Sequence, residues 1–324
     1  MRKCPMSNFI VVLLTIVFLQ NSVHAADKIR IGFASVSVVA VPLILGEKRG
    51  FFREEGLQTE FIQMLPNVGM SATASGDIDY WTNFGPLTVA GVIRGLPVKV
   101  VACYVPRFPA ALISRPEFKS VQELRGKTIG VNVFGGAQET IAKLIFKHFG
   151  LDPDKEIKFL VPGAIEARFA SMKQGLTAAT MGTPPSDFLG KKLGFVVLAR
   201  SQELFSWPVG GLVANVKKIK EKPDETKRVI KAGIKANRYI RQNREGTVQF
   251  MMEWMKIDKE IATATYESSW KIYNEDGSVP EDGLRLIIEE AKKAIKVNRE
   301  VSLSEVVDLS ILKEAQRELG IKGR

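Results

Sequence analysis

Histidine and cysteine are almost absent from this chain of 324 residues, which holds two of each. One of each, Cys4 and His24, falls within the first 25 residues, and that segment reads as a cleaved secretory signal. Arg2 and Lys3 supply its positive start, residues 9–19 (FIVVLLTIVFL) its apolar core, and Val23-His24-Ala25 the small residues that a signal peptidase reads. The apolar run is too short for a bilayer core, which takes about 20 residues. A lipoprotein cysteine follows such a core, whereas Cys4 precedes it. Cleavage after Ala25 leaves His148 and Cys103 alone. An internal disulfide, a Cys/His zinc site and Cys–His or Ser–His–Asp catalysis with a choice of bases are thereby disfavoured.

The two survivors have structural readings. His148, in KLIFKHFG, ends an amphipathic stretch, where it suits a helix C-terminus. Cys103, inside VKVVACYV, reads as a small buried hydrophobe. The carboxylates Glu139 and Asp187 fall in one half of the chain with no sign of a tuned acid–base pair, so no catalytic residue and no metal site is assigned. FGGAQ at residues 134–138 lacks the ordered glycines of a dinucleotide fingerprint and the lysine of a P-loop, so no cofactor is expected.

The formal net charge of +11 invites a polyanionic partner. Without Arg2 and Lys3 the balance is 44 basic against 35 acidic residues, or +9. Residues 217–244 alone hold eleven Lys or Arg and three Asp or Glu, a surplus of +8. This stretch reads as a helix whose apolar stripe (Val229, Gly233, Ala236, Ile240) is opposed by Lys227, Lys231, Lys235 and Arg238. No recognition motif accompanies the charges, so a solvated helix face is expected, and no nucleic acid.

Along the chain, strands at residues 28–33, 59–64, 78–81 and 98–105 alternate with helices at 42–49, 68–75 and 86–94, as βαβ units and a mostly parallel sheet require. The series then restarts. Ile31-Gly32 recurs as Ile129-Gly130, Gly56-Leu57 as Gly150-Leu151 and Ser75-Gly76 as Gln174-Gly175, at offsets between 94 and 100 residues. A duplicated lobe has that length. Proline-bearing segments at residues 105–109 and 205–208 suit two crossings made of extended chain with few local hydrogen bonds. The expected organisation is an α/β protein of two lobes. Residues 26–107 and 209–324 form lobe 1, whose helical tail covers it and carries the basic face, and residues 108–208 form lobe 2.

Ligands of open α/β sheets bind beyond the carboxyl ends of strands. Candidate ligand-binding residues are therefore Ser35, Val36, Ser37 and Val38 after the first strand, and Trp81, Thr82, Asn83 and Phe84 after the third. In the second lobe they are Phe134, Gly135, Gly136, Ala137 and Gln138 at a glycine-rich helix start, with Thr183, Pro184 and Asp187 beyond. Tyr104 and Trp207, near the crossings, join an aromatic cluster suited to an apolar ligand surface.

The segments IRIGFASVS, PLILGEKRGFFREEGLQTEF, SGDID, GLPVKVVA, SVQELRGKTIGV and FGLDPDKEIKFL resemble the solute-binding proteins of ABC importers. They are closest to the nitrate/sulfonate/taurine type, which includes binders of thiamine-precursor pyrimidines, over about residues 28–215. The resemblance implies the type II periplasmic binding protein fold, closure of two lobes on one small molecule, delivery to a membrane permease, and a monomer acting outside the cytoplasm without chemistry. Gly175-Leu176-Thr177-Ala178-Ala179 departs from the usual Gly-x-x-Asp-Ala, and the cysteine-rich segment of the related pyrimidine-synthesising enzymes is absent. Helix-start donors and aromatic loops together suit an organic anion with an aromatic or apolar body. The competing readings are an enzyme on the same fold, a lyase or pyrimidine synthase, and a ligand-sensing subunit for a membrane receptor.

Overall fold

Ile29 and Ile31 point inward and Lys28 and Arg30 outward, the period-two alternation of a strand, and this strand opens the structure. The computed structural model describes residues 27–321; the signal-like segment, with Cys4 and His24, lies outside them. The first series runs β1 (Asp27–Phe33), α1 (Val41–Lys48), α2 (Phe51–Glu54), β2 (Leu57–Gln63), α3 (Pro66–Ser75), β3 (Tyr80–Asn83), α4 (Pro86–Ile93) and β4 (Val98–Val105). The second runs β5 (Ala111–Ser114), β6 (Thr128–Gly130), α5 (Ala137–His148), α6 (Pro153–Glu156), β7 (Lys158–Leu160), α7 (Ile165–Lys173), β8 (Ala179–Gly182), α8 (Ser186–Lys192), β9 (Val196–Arg200) and α9 (Ser201–Leu204). The chain then returns through β10 (Gly210–Asn215) to α10 (Val216–Glu221), α11 (Pro223–Gln242), α12 (Arg244–Met255), α13 (Lys259–Ser269), α14 (Glu281–Ile295), α15 (Leu303–Val306) and α16 (Ser310–Glu318).

Two five-stranded sheets result, ordered β2-β1-β3-β10-β4 and β7-β6-β8-β5-β9. In each, four strands run one way and one strand, β10 or β5, is inserted against them in the same place. The sheets are thus mixed, and for a topological reason. Each reversed strand is the first element after a crossing, where no helix intervenes to turn the chain back. The crossings are not bare extended chain as expected. Arg107 and Trp207 form a bridge, and the Phe108 amide donates to the Trp207 carbonyl at 2.7 Å. Each crossing satisfies the other's backbone.

The helical tail covers the first sheet: α11 packs on α1, α2 and β4, and α14 on α4. Val229, Gly233, Ala236 and Ile240 are buried, and each Val or Ile so placed contributes about 1.5–3 kcal/mol of burial. Its opposite face corrects the expectation of a solvated basic surface. Lys227 and Lys231 pair with Glu318, Lys231 also with Glu55, and Lys235 with Glu54 and Glu55, at 2.8–3.0 Å. The charges match acids on elements distant in sequence. The tail also reaches the second lobe, where Lys192 at the end of α8 meets Asp258 at 2.7 Å and Glu260 at 3.3 Å before and in α13. Cys103 is fully buried in β4, where burial pushes its thiol pKa up, and His148 is the last residue of α5.

Candidate functional site

Between the lobes lies a pocket of about 640 Å³, counting its opening to solvent, whose walls come from both lobes. Lobe 1 supplies an apolar wall of Val39, Met70, Trp81, Phe84 and Leu87. Trp81 reaches it because the chain makes room for the indole at a glycine. A Cβ on Gly69 of α3 would sit 2.3 Å from Trp81 Cζ3, a distance no side chain tolerates. Lobe 2 supplies Asn132, Val133, Ala137, Gln138 and Thr183. The helices α4 and α5 begin at the cavity with Gly85 and Gly136 as their caps, and a Cβ on Gly85 would lie 3.6 Å from that of Ala137. Two positive helix ends therefore meet across the cleft.

A second, more polar compartment adjoins the first through Ser35, Ser37, Asn132, Gln138 and Thr183, which line both. It encloses about 960 Å³ including its open mouth and is bounded by Val36, Gln63, Ser186 and the first turn of α7. The lobes also touch directly at its edge, where the Val38 amide donates to the Pro184 carbonyl at 3.2 Å.

Of the residues expected from sequence, Ser35, Val36, Ser37, Trp81, Asn83, Phe84, Gly136, Ala137, Gln138 and Thr183 come together on these two compartments. The others stand outside their walls, each for a local reason. Val38 and Pro184 spend their backbone groups on one another. Thr82 is buried with its hydroxyl on Asn83 Oδ1 at 2.9 Å. Phe134 is 57% exposed at the rim. Gly135 takes the positive φ of 72° that lets its amide reach Glu139 Oε2 at 2.5 Å, which draws Glu139 back toward its own helix. Asp187 is wholly buried, with Oδ2 2.6 Å from Arg200 Nη1. Tyr104 fills a gap under α11, where a Cβ on Gly233 would lie 2.3 Å from the ring, and Trp207 is buried in the crossing. Tyr104 and Trp207 pack inside the core, whereas Phe108 of the first crossing lines the first compartment.

A sequence profile described as NMT1/THI5 like matches residues 38–246. The chain belongs to the NMT1/THI5-like family. A protein of Brucella abortus (strain 2308) described as a binding protein is 26% identical over 261 residues, 78% of this chain and 79% of that one. Among solved structures, the periplasmic nitrate-binding protein NrtA from Synechocystis PCC 6803 matches with a TM-score of 0.78 at 15% identity, over 92% of this chain and 90% of that one. The alkanesulfonate-binding protein SsuA from Xanthomonas axonopodis pv. citri, bound to MOPS, matches with a TM-score of 0.71 at 15% identity, over 89% and 97%. These likenesses show the two-lobed periplasmic binding protein fold.

Two polar residues of this family member went unnoticed in its sequence. Asn132, just beyond β6, lines both compartments, and its Oδ1 is buried with no hydrogen-bond partner. Arg168 of α7 lines the polar compartment and is only 5% exposed. Its Nη1 donates to Gln138 Oε1 at 2.8 Å and to the Met181 carbonyl, while Nε has no partner. Burial pulls its pKa down to about 10, which leaves it charged at neutral pH. A signal did exist. Position 168 falls three residues after Ile165 and four before Met172, so an arginine occupies the inward stripe of a helix.

Proposed function

We propose that this chain is the extracytoplasmic solute-binding component of an ABC importer, taking a small organic anion with an apolar body between lobes that close on it. One observation carries the reading: a compartment walled by Met70, Trp81 and Phe84 opens, through a collar of hydroxyls and amides, into a polar compartment. An inorganic ion needs no such apolar wall, and a neutral hydrocarbon no such collar. Solved proteins of this fold are described as binding nitrate and alkanesulfonates, both anions, and a binding role agrees with the relatives' description. The site assignment is the set of candidates that line the compartments, with lobes divided at residues 107/108 and 208/209.

A location outside the cytoplasm rests on the signal-like first 25 residues; among the described residues no helix is long and apolar enough to cross a membrane. Binding without chemistry is favoured over the lyase reading because, among the described residues, Glu166 is the single carboxylate on either compartment, and neither holds His or Cys. General acid–base work asks for groups of matched pKa within reach of one another.

A thermal-shift panel of aromatic and aliphatic carboxylates, sulfonates and pyrimidines tests the reading on the mature chain. A true ligand at 1,000 times Kd should add about 4 kcal/mol and raise Tm by several degrees. Organic acids are expected to do so and chloride or nitrate not. A response confined to pyrimidines or to inorganic anions would reject it.

A further inference from the structure

We propose that Arg168 seats the acid group of the ligand, so that a carboxylate or sulfonate occupies the polar compartment while the apolar body lies against Trp81 and Phe84. The inference rests on the organic-anion reading above and adds to it an orientation and a residue that decides charge specificity.

The argument starts from an imbalance of charge. Other inward-facing cations have acids beside them: Lys218 touches Asp79 and Glu225 at 2.9 and 2.7 Å, Arg200 faces Asp187, and Lys231 pairs with Glu55. Arg168 is more deeply buried than Lys218 or Lys231, yet no carboxylate lies within salt-bridge distance of it among the described residues. Its partners, Gln138 Oε1, Thr180 Oγ1 at 3.5 Å and the Met181 carbonyl, are all neutral. Neutral acceptors orient a guanidinium but do not offset the loss of water around a full charge. An unpaired buried cation on a cavity wall is therefore a place where an anion gains more than it would in water.

Apart from the unpartnered Asn132 Oδ1, polar groups near Arg168 on the compartment offer donors. Gln138 spends its Oε1 on Arg168, which leaves its Nε2 hydrogens as donors on a side chain that lines both compartments. Ala164, Ile165 and Glu166, the first turn of α7, line the polar compartment, so free backbone N–H groups border it. Ser35, Ser37 and Thr183 add hydroxyls at the collar. Among the described residues lining the compartment, Glu166 is the one opposing charge. It is exposed and two residues from Arg168 on the helix, so its attraction acts on Arg168 through space without a salt bridge.

The test compares matched acids and amides on the mature full chain by isothermal titration calorimetry, with circular dichroism and Tm recorded for every unliganded variant. The probes are benzoate with benzamide, hexanoate with hexanamide, and benzenesulfonate with benzenesulfonamide. Wild type should prefer the acid of the best-bound pair by about 100-fold, the worth of a charge-assisted contact in a dry site. Arg168→Gln, which keeps donors for Met181 without the charge, should bring acid and amide within about threefold, whereas Arg168→Lys should keep about tenfold. Glu166→Gln, which removes the opposing charge from the compartment wall, should raise the acid preference. A folded Arg168→Gln protein that still prefers acids overturns the assignment and leaves the organic-anion reading standing. Wild-type binding indifferent to probe charge, or confined to the amides, overturns that reading and the assignment with it. Loss of preference in both Arg168 variants, each folded, would place the effect in geometry and reject the charge argument.

Discussion

The two lobes share one strand order, down to the position of the reversed strand, yet bring different chemistry to the cleft. Both give hydroxyls and amides, Ser35, Ser37 and Asn83 from the first and Asn132, Gln138 and Thr183 from the second, but the first alone sets a tryptophan, Trp81, with Met70 and Phe84 on the wall, and the second brings the guanidinium of Arg168. They also differ in how they are held. Lobe 1 lies under the helical tail, and the large apolar core they share continues into lobe 2 through residues such as Ile129, Ile141, Phe146 and Met181. One face of lobe 2 depends on a small cluster of Ala111, Ile113, Phe169, Met172 and Phe195, and beside it sits the buried contact of Asp187 with Arg200. Duplication thus reproduces a frame, and the loops at the strand ends are free to divide the labour of recognition.

The largest expected effect falls on the face of lobe 2 that rests on the small cluster. Arg200→Met strands Asp187 in the interior and should cost about 3–5 kcal/mol in denaturant unfolding. Adding Asp187→Leu should recover part of that loss, and a loss below about 1 kcal/mol would mean the pair is not insulated from water. Next comes the apolar wall of lobe 1. Gly69→Ala forces Trp81 from its seat, so overpacking should cost about 1–3 kcal/mol and weaken binding of aromatic acids more than of short aliphatic ones. Smaller still is the bridge between lobes. Lys192→Ala should leave the unfolding midpoint in place but enlarge the unliganded particle in small-angle X-ray scattering; an unchanged radius of gyration would show that the contact with Asp258 and Glu260 does not hold the lobes together. The mildest probe alters no residue. Cys103, buried in lobe 1 with its thiol pKa raised by burial, should resist a disulfide reagent until that lobe opens. Labelling in the Arg200→Met protein then separates two cases: slow reaction means lobe 2 loosens alone, fast reaction that the lobes unfold together.

Much of the frame was legible in the sequence because its signals are local. Strand β4 was read at residues 98–105 from a run that is apolar but for Lys99, and the restart of the series followed from short strings such as Ile31-Gly32 and Ile129-Gly130. The cleft was legible where a residue sits at or just past a strand's end, as with Asn83 and Ser35, or at the start of the next helix, as with Gln138. Reading failed where the deciding partner is remote. Nothing near Lys231 or Lys235 announces Glu54, Glu55 and Glu318, so a paired face passed for a solvated one. Tyr104 and Trp207 were drawn to the ligand by their type, whereas space beside Gly233 and a bridge to Arg107 fix their places. Arg168 was hidden by habit: an arginine on a short helix reads as surface until its phase is counted.

The paired crossings carry one more consequence. Because the Phe108 amide and the Trp207 carbonyl are 2.7 Å apart, everything between them is joined covalently to the rest through one narrow neck. To the rest of the chain, the second lobe is a very long hairpin whose feet already touch. The entropy of closing such a loop grows only with the logarithm of its length, by about 0.6 kcal/mol per doubling. A neck of this kind lets one lobe be exchanged, cut or re-joined at new ends while the other keeps its own sheet. It makes the protein a natural host for circular permutation and for grafting a foreign anion-recognising lobe onto an existing apolar wall.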